Sequence, residues 1–368
     1  MKTLSSLELH YMVKELKTLE GSRVDSIYHQ GKEAFLFQLF KSGEGKKLVQ
    51  VILGKCLYLT SLKEDMEATS GFCLLLRKHL ENTFLGSFSQ VEPERIVKCT
   101  FSSKEETFDL FIEFFGKGNI LLCKDGIIID ALHHQEFKDR TIAPKEKYAY
   151  PAMPYNLFSL DKAFLQSMLS STTKDSLVKS LAIELGLGGI FSEEACLQAG
   201  LDKNAKPADL TSEECAQLLT SLQQLLNHSI EALIYLQEGE LEGVYPFALK
   251  TMEMHEHRSF ESFSTAVEYY AEHATLKVRS SVDARLAEIK RIIEQQEKNI
   301  VSLEEEEKEQ RQRAEVLYSN YVQLDTLLKE LHHISKKHSW QEIKEKLKGH
   351  TLIKDVNPKD KSIVIELP

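Results

Sequence analysis

The residues best placed to do chemistry in this sequence are glycines. The stretch LGLGGIFSEEACLQAGLD at 185–202 sets Gly186, Gly188 and Gly189 between two helix-like runs. Glycines at such a junction let backbone N–H groups point outward. With the positive end of the second helix they can form an anion site, and Ser192 is placed to cap that helix. The same spacing also makes a tight corner between packed helices. Glu184, Glu193 and Glu194 crowd the junction, while Lys174 and Lys179 lie at least a turn upstream. Spacing alone leaves grip and corner open. A second glycine stretch, GKGN at 116–119, falls between strands rather than before a helix and reads as a turn.

Other chemistries are poorly supplied. There is no GxSxG and no P-loop. The pairs His133-His134, His255/His257 and His332-His333 lack a third ligand at a useful spacing, so no metal is expected. Cys56, Cys73, Cys99, Cys123, Cys196 and Cys215 form no CxxC and mostly sit in apolar runs, which suits free thiols in a reducing cytosol. No catalytic residue and no cofactor is assigned. The net charge of −10 argues against a general binder of naked nucleic acid, so any RNA contact needs a local basic patch. Two such clusters exist: Arg77, Lys78 and His79, and the segment KELHHISKKHSWQEIKEKLKGH at 329–350 around Trp340. No run of about 18 apolar residues could span a membrane.

The elements that must position these residues fall into three regions. Residues 3–20 predict a helix stopped by Gly21. SRVDSIYHQ, EAFLFQLFK, KLVQVIL and CLYLTSL then predict a strand meander. FCLLLRKHLENTFLG (72–86) predicts a helix, and RIVKCTF, TFDLFIEFF, NILLCK and IIIDAL a second strand run, with Asp125-Gly126 as a hairpin turn. Residues 1–160 are thus an expected β-rich sandwich domain, and PAMPYNLF a linker. About five short helices are expected over 161–275, broken at 186–189, 200–207 and 243–246. Over 276–335 the apolar residues Val282, Leu286, Ile289, Ile293, Ile300, Leu303, Ala314, Leu317, Tyr321, Leu324, Leu328 and Leu331 recur with the period of a coiled coil. Gln296, Glu307 and Gln310 weaken its middle. Residues 336–368 predict one short helix and a hairpin. The fold class is therefore α+β multidomain.

Several stretches in one order resemble the NFACT family of ribosome-associated quality control factors. FCLLLRKHL is similar to the helix of that family's first domain, and EPERIVKCTF to its "DRIV" strand. FIEFFGKGNILLCKDG is similar to its glycine-asparagine hairpin, DRTIAPKEKYAYPA to its exit from that domain, and LGLGGIFSEEACLQAGLD to its helix-hairpin-helix segment. SFESFSTAVEYY and LYSNYVQLDTLLKEL follow in family order, and SWQEIKEKL looks archaeal or eukaryotic-like.

The resemblance implies a first domain shaped like the N-terminal domain of formamidopyrimidine-DNA glycosylases, a helix-hairpin-helix domain and a long coiled-coil arm. It implies a cytoplasmic factor that is not an enzyme. Such a factor binds the obstructed large ribosomal subunit with its peptidyl-tRNA and ribosomal RNA. It recruits a charged tRNA, often alanyl-tRNA, and supports template-free C-terminal tailing of the stalled chain. The family's tRNA-binding Asp-Arg pair falls on Glu94-Arg95, with Glu in place of Asp, and a second tRNA-contacting stretch on Glu113, Phe114 and Phe115. RNA-phosphate contacts are expected from Arg77, Lys78, Lys117, Arg140, Gly186, Gly188 and Gly189, and ribosome contacts from Lys336, Lys337, Trp340 and Lys344. With these neighbours, the glycine stretch becomes a corner with secondary RNA contact. The family continues into a returning arm and a C-terminal RNA-binding domain, so a truncation or a second chain carrying that domain is expected beyond Pro368. Two alternatives compete: a DNA-processing protein, opposed by the lack of an N-terminal Pro-Glu pair, and a scaffold dimerising through the coiled coil.

Overall fold

The computed structural model describes all residues except 1, 32, 64–69, 152–154 and 368, and leaves aside the side chains of 275–284 and 287. Ala152, Met153 and Pro154 of the expected linker, and the side chain of Val282, therefore lie outside the described residues. The chain divides into two compact units, Met1–Val278 and Arg279–Pro368.

The first unit opens with α1 (Ser6–Leu16), started by a Ser5/Glu8 capping box that satisfies donors at both ends of the first turn. Strands β1 (Arg23–Gln30), β2 (Ala34–Lys41), β3 (Gly45–Ile52) and β4 (Cys56–Thr60) follow as the expected meander. Helix α2 (Gly71–Leu80) is shorter than its sequence reading. The chain turns at Asn82, which has a φ of 66°. FLGSFSQ, expected in part as helix, is strand β5 (Phe84–Gln90). Then come β6 (Ile96–Ser102), β7 (Thr107–Glu113), β8 (Asn119–Lys124) and β9 (Ile127–Ala131).

These nine strands form one antiparallel sheet in the order β4-β3-β2-β1-β5-β6-β7-β8-β9. β1 meets β5 at the single pair Arg23↔Phe84, so the sheet folds there. Phe37, Leu39, Val49 and Val51 from one half face Leu85, Phe88, Phe101, Leu110 and Ile112 from the other. The alternation on β7 buries Phe108, Leu110 and Ile112 in this core and sends Phe111 to a second apolar cluster. That cluster also holds Ile96, Leu121, Ile128, Ile142 and Tyr148. It is covered by the short strands β10 (Gln135–Glu136) and β11 (Thr141–Ile142) and the chain after them. Asp125 and Gly126 both take positive φ, 52° and 76°, the geometry the β8–β9 turn requires.

Helices α3 (Lys162–Ser171), α4 (Leu177–Ile183), α5 (Gly189–Ala199) and α6 (Ser212–Asn227) follow. The expectation of helices up to 275 fails at the next step. LIYLQ and ELEGVY are β12 (Leu233–Gln237) and β13 (Glu240–Tyr245), joined with β14 (Glu256–Ser259) in a three-stranded sheet. Its hairpin turns on Glu238 and Gly239, at φ of 52° and 79°.

Helix α7 (Phe263–Ser319) runs from the first unit into the second and starts well before the expected 276. Its row Leu286, Ile289, Ile293, Ile300, Leu303 and Leu317 is about half exposed. In the second unit α8 (Tyr321–Ser335), α9 (Trp340–Lys346), β15 (Ile353–Asn357) and β16 (Ser362–Ile365) enclose a small core of Leu331, Ile343, Ile353 and Val356. The tail is the expected helix and hairpin. No helix among the described residues is long and apolar enough to cross a membrane.

Candidate RNA-binding site

Loop 91–95 joins β5 to β6 and carries Glu94 and Arg95. It is pinned from both sides. Ser6 donates to the Pro93 carbonyl at 2.6 Å. The Gln90 amide donates to the Glu94 carbonyl at 2.9 Å and to Ser6 Oγ at 2.9 Å. The Phe114 N–H donates to the Arg95 carbonyl at 2.8 Å. The Glu94 and Arg95 residues are half-buried. Arg95 has no ion pair or side-chain hydrogen bond among the described residues. Burial raises the Glu94 pKa, against the pull of Arg140 and Arg95, and lowers that of Arg95, against Glu94. A guanidinium with free donors on a backbone held in place is suited to phosphate or a base edge, where its planar fork binds two acceptors at once.

The other expected contacts divide sharply. Glu113 and Phe114 are only 1 % exposed. Glu113 receives both Arg140 terminal nitrogens, at 2.7 and 3.1 Å, and the Tyr148 hydroxyl at 2.8 Å. Burial, and then the Glu113 charge, push the Tyr148 pKa up. Arg140 also donates to the Ala149 carbonyl at 3.3 Å and lies over the rings of Phe115 and Phe137. Glu113 and Arg140, expected as direct RNA contacts, are thus spent on each other. The physical reason is burial: neither charge could stay in this apolar cluster unpaired. Phe115 is half-buried at the same place.

Lys117 is exposed without an ion pair among the described residues. Its hairpin sits directly on the β3–β4 turn. A Cβ on Gly118 would lie 2.1 Å from the Gly54 nitrogen, and the φ of Gly118 is +75°, so glycine is required. Arg77 is held inward, with Nε donating to the Ile27 carbonyl at 2.6 Å and the guanidinium over Tyr28; Lys78 is exposed.

The glycine junction has the backbone shape expected of it, with Gly186 and Gly188 at φ of 65° and 76°. Ser192 does not cap α5. Gly188 is the cap residue, and the Ser192 hydroxyl donates back to the Gly188 carbonyl at 2.6 Å from inside the helix. The acids do not crowd the junction either. Glu184 accepts from Thr172 and Ser180, both at 2.7 Å. Glu193 pairs with Lys203 at 3.0 Å. Glu194 is fully buried and accepts from the N–H groups of Lys250 and Thr251 at 3.0 and 2.9 Å. In the second unit Lys336 and Lys337 are exposed, Lys344 pairs with Asp355 at 3.1 Å, and Trp340 is packed against the small core.

Sequence reading missed Ser6 and Gln90 as supports of the loop and Tyr148 as a support of Glu113. Only KEKYAY carries a signal, two aromatics, Tyr148 and Tyr150, at the end of a charged run. Among the described residues no cluster of His, Cys, Asp or Glu could hold a metal ion, and all six cysteines are buried and unpaired.

Similarity agrees with this architecture. The Archaeal Rqc2 homolog aRqcH of Methanocaldococcus jannaschii is 27 % identical over 391 aligned residues, covering 99 % of this chain and 58 % of the relative. The human ribosome quality control complex subunit NEMF is 29 % identical over 231 residues, 60 % of this chain and 21 % of NEMF. The chain thus spans little more than half of the archaeal relative and about a fifth of the human one. Among solved structures, the fibrinogen binding protein of Staphylococcus aureus superposes with a TM-score of 0.61 at 18 % identity, over 72 % of this chain and 98 % of that one. The N-terminal part of the fibronectin/fibrinogen-binding protein of Streptococcus suis gives 0.59 at 21 %, over 74 % and 100 %. At these identities the likeness shows the fold alone. The sequence pattern of the NFACT N-terminal and middle domains matches residues 5–363, and the chain belongs to that family.

Proposed function

We propose that this chain acts as a ribosome-associated quality control factor, binding a charged tRNA through its first unit and the obstructed large ribosomal subunit with contacts from Lys336, Lys337, Trp340 and Lys344 of the second. The observation that carries the reading is the family match over residues 5–363, joined by an archaeal relative similar along 99 % of the chain. The geometry supports it at one point. Three hydrogen bonds from outside the loop hold the carbonyls of Pro93, Glu94 and Arg95, and the Arg95 guanidinium has no partner among the described residues, as a contact for an anion requires. Glu94 beside it offers an acceptor for a base amino group.

In this reading the ribosome makes the peptide bond. The protein supplies position only, presenting the tRNA so that residues are added to the stalled chain without a template. The protein itself is then no enzyme, and it works where ribosomes are, in the cytoplasm. The test is co-sedimentation with large subunits carrying peptidyl-tRNA, together with tRNA co-purification and nascent-chain tailing. Wild type is expected to sediment with the subunit and retain tRNA. Arg95→Glu is expected to lose the tRNA and the tailing while keeping its fold. Unchanged tRNA and tailing in that variant would overturn the assignment.

A further inference from the structure

The Glu113–Arg140 pair leaves two large rings facing outward. Phe137 is 40 % exposed and Tyr150 49 % exposed. Both are anchored to the buried cluster. Phe137 lies under the Arg140 guanidinium, 4.8 Å from its carbon, and its N–H donates to the Arg140 carbonyl at 2.8 Å. Tyr150 packs edge-on against Tyr148 at 5.3 Å and against Phe111 at 5.9 Å. Exposed aromatics normally cost solubility and lose side-chain entropy when fixed. Here the fixing is done by neighbours that are already immobile.

The surroundings indicate what such rings would meet. Glu113, which holds Arg140, pairs in register with Ile96, and the N–H of the next residue, Phe114, donates to the Arg95 carbonyl at 2.8 Å, so this surface adjoins the Glu94–Arg95 loop. Lys138, Lys145 and Lys147 are exposed and have no ion pair among the described residues. Once Arg140 is spent on Glu113, the segment 137–150 keeps these three cations against Asp139 and Glu146. Flat rings with nearby ammonium groups are the arrangement by which proteins stack unpaired nucleobases and steady the flanking phosphates.

We propose that Phe137 and Tyr150 form a stacking surface for unpaired nucleobases of the RNA that the Glu94–Arg95 loop engages. This rests on the tRNA-binding reading of that loop. The small charge excess makes stacking the main source of affinity, so binding at this surface should weaken only shallowly with salt, unlike a contact made through many phosphates.

The experiment uses the full chain and three probes: unfractionated tRNA, an unstructured oligoadenylate and a blunt RNA duplex. Phe137→Ala and Tyr150→Ala are each expected to weaken oligoadenylate and tRNA binding about tenfold, within the range reported for losing one stacked base. Duplex binding should not change. Because both side chains face solvent, the thermal midpoint should stay near that of wild type. Phe137→Trp should retain affinity, and its added fluorescence, measured against the Trp340 background, should be quenched by oligoadenylate. Unchanged affinity in both alanine variants, or no quenching of a binding-competent Phe137→Trp, overturns the proposal. So does intact RNA binding with weakened subunit sedimentation, which would make the rings a protein-docking surface. Arg95→Glu separates the two claims. If it abolishes tRNA binding while the ring variants bind normally, only the stacking surface is wrong. If wild type binds neither tRNA nor oligoadenylate, both readings fall.

Discussion

Loop 91–95 and the glycine junction at 186–189 contrast in what their charges do. The junction has the more suggestive backbone, with two glycines at positive φ and the open end of α5. Yet its neighbouring carboxylates are all satisfied internally, and Glu194 ties α5 to the turn at Lys250 and Thr251. Of its cations, Lys179 pairs with Asp175 and Lys203 with Glu193, while Lys174 has no ion pair among the described residues. Loop 91–95 has no glycine, but it is closed by the Glu94 N–H on the Val91 carbonyl and tied from outside by Ser6, Gln90 and Phe114, and the Arg95 side chain has no partner among the described residues. A binding site is marked less by permissive geometry than by a charge the fold holds in place and does not neutralise.

The comparison can be broken by variants that should act on one region and not the other. The largest effect is expected from the buried pair below the loop. Arg140→Met leaves the Glu113 carboxylate buried with only Tyr148, and unfolding by denaturant should show a loss of about 3–5 kcal/mol. Replacing both members with apolar residues should recover much of that, since it leaves no orphan charge. Next comes Glu194→Ala, which strips two N–H groups of their acceptor. Its expected loss is about 2–4 kcal/mol, with RNA affinity unchanged. Gly188→Ala forces a Cβ onto a residue at φ 76° and ψ 167°, a region almost reserved for glycine, and should cost about 1–3 kcal/mol, again sparing RNA binding. The smallest effect concerns pH. The folded Glu94 pKa is raised by burial, so the native state holds its proton more tightly than the unfolded chain does. Stability from this group is therefore lost as pH rises from below 4.5 through the raised value. Glu94→Gln should be slightly more stable than wild type at pH 7 and equal to it in acid, as thermal unfolding at both pH values would show.

Most of the first sheet was legible because its strands alternate and its turns carry strong local preferences, as at Asp125-Gly126. The errors share a cause. The spacing of FCLLLRKHLENTFLG predicts helix α2 through to Gly86, but the helix stops at Leu80 and the chain turns at Asn82, a residue type that tolerates positive φ and so carries a stop signal the apolar spacing outweighs. The β12–β13 hairpin was read as helix because Glu238-Gly239 is a rarer pair for a turn of that type. Ser192 was a plausible cap by spacing, but the helix begins three residues earlier, at Gly189. The site was legible only in part. Resemblance pointed to Glu94, Arg95 and Glu113, but it could not distinguish a side chain facing solvent from one buried against Arg140. That pairing spans 27 residues of sequence and depends on the β10–β11 hairpin folding over β7.

The central claim is that RNA is gripped at Arg95 and not at the glycine junction. Titrating tRNA into Arg95→Glu and Gly188→Ala side by side, at one fixed salt concentration, tests it most directly. The account predicts at least a tenfold loss for Arg95→Glu, the usual scale for losing a charge-assisted bidentate contact, and wild-type affinity for Gly188→Ala. Wild-type affinity for Arg95→Glu with a loss for a folded Gly188→Ala would contradict it and return the grip to the glycines.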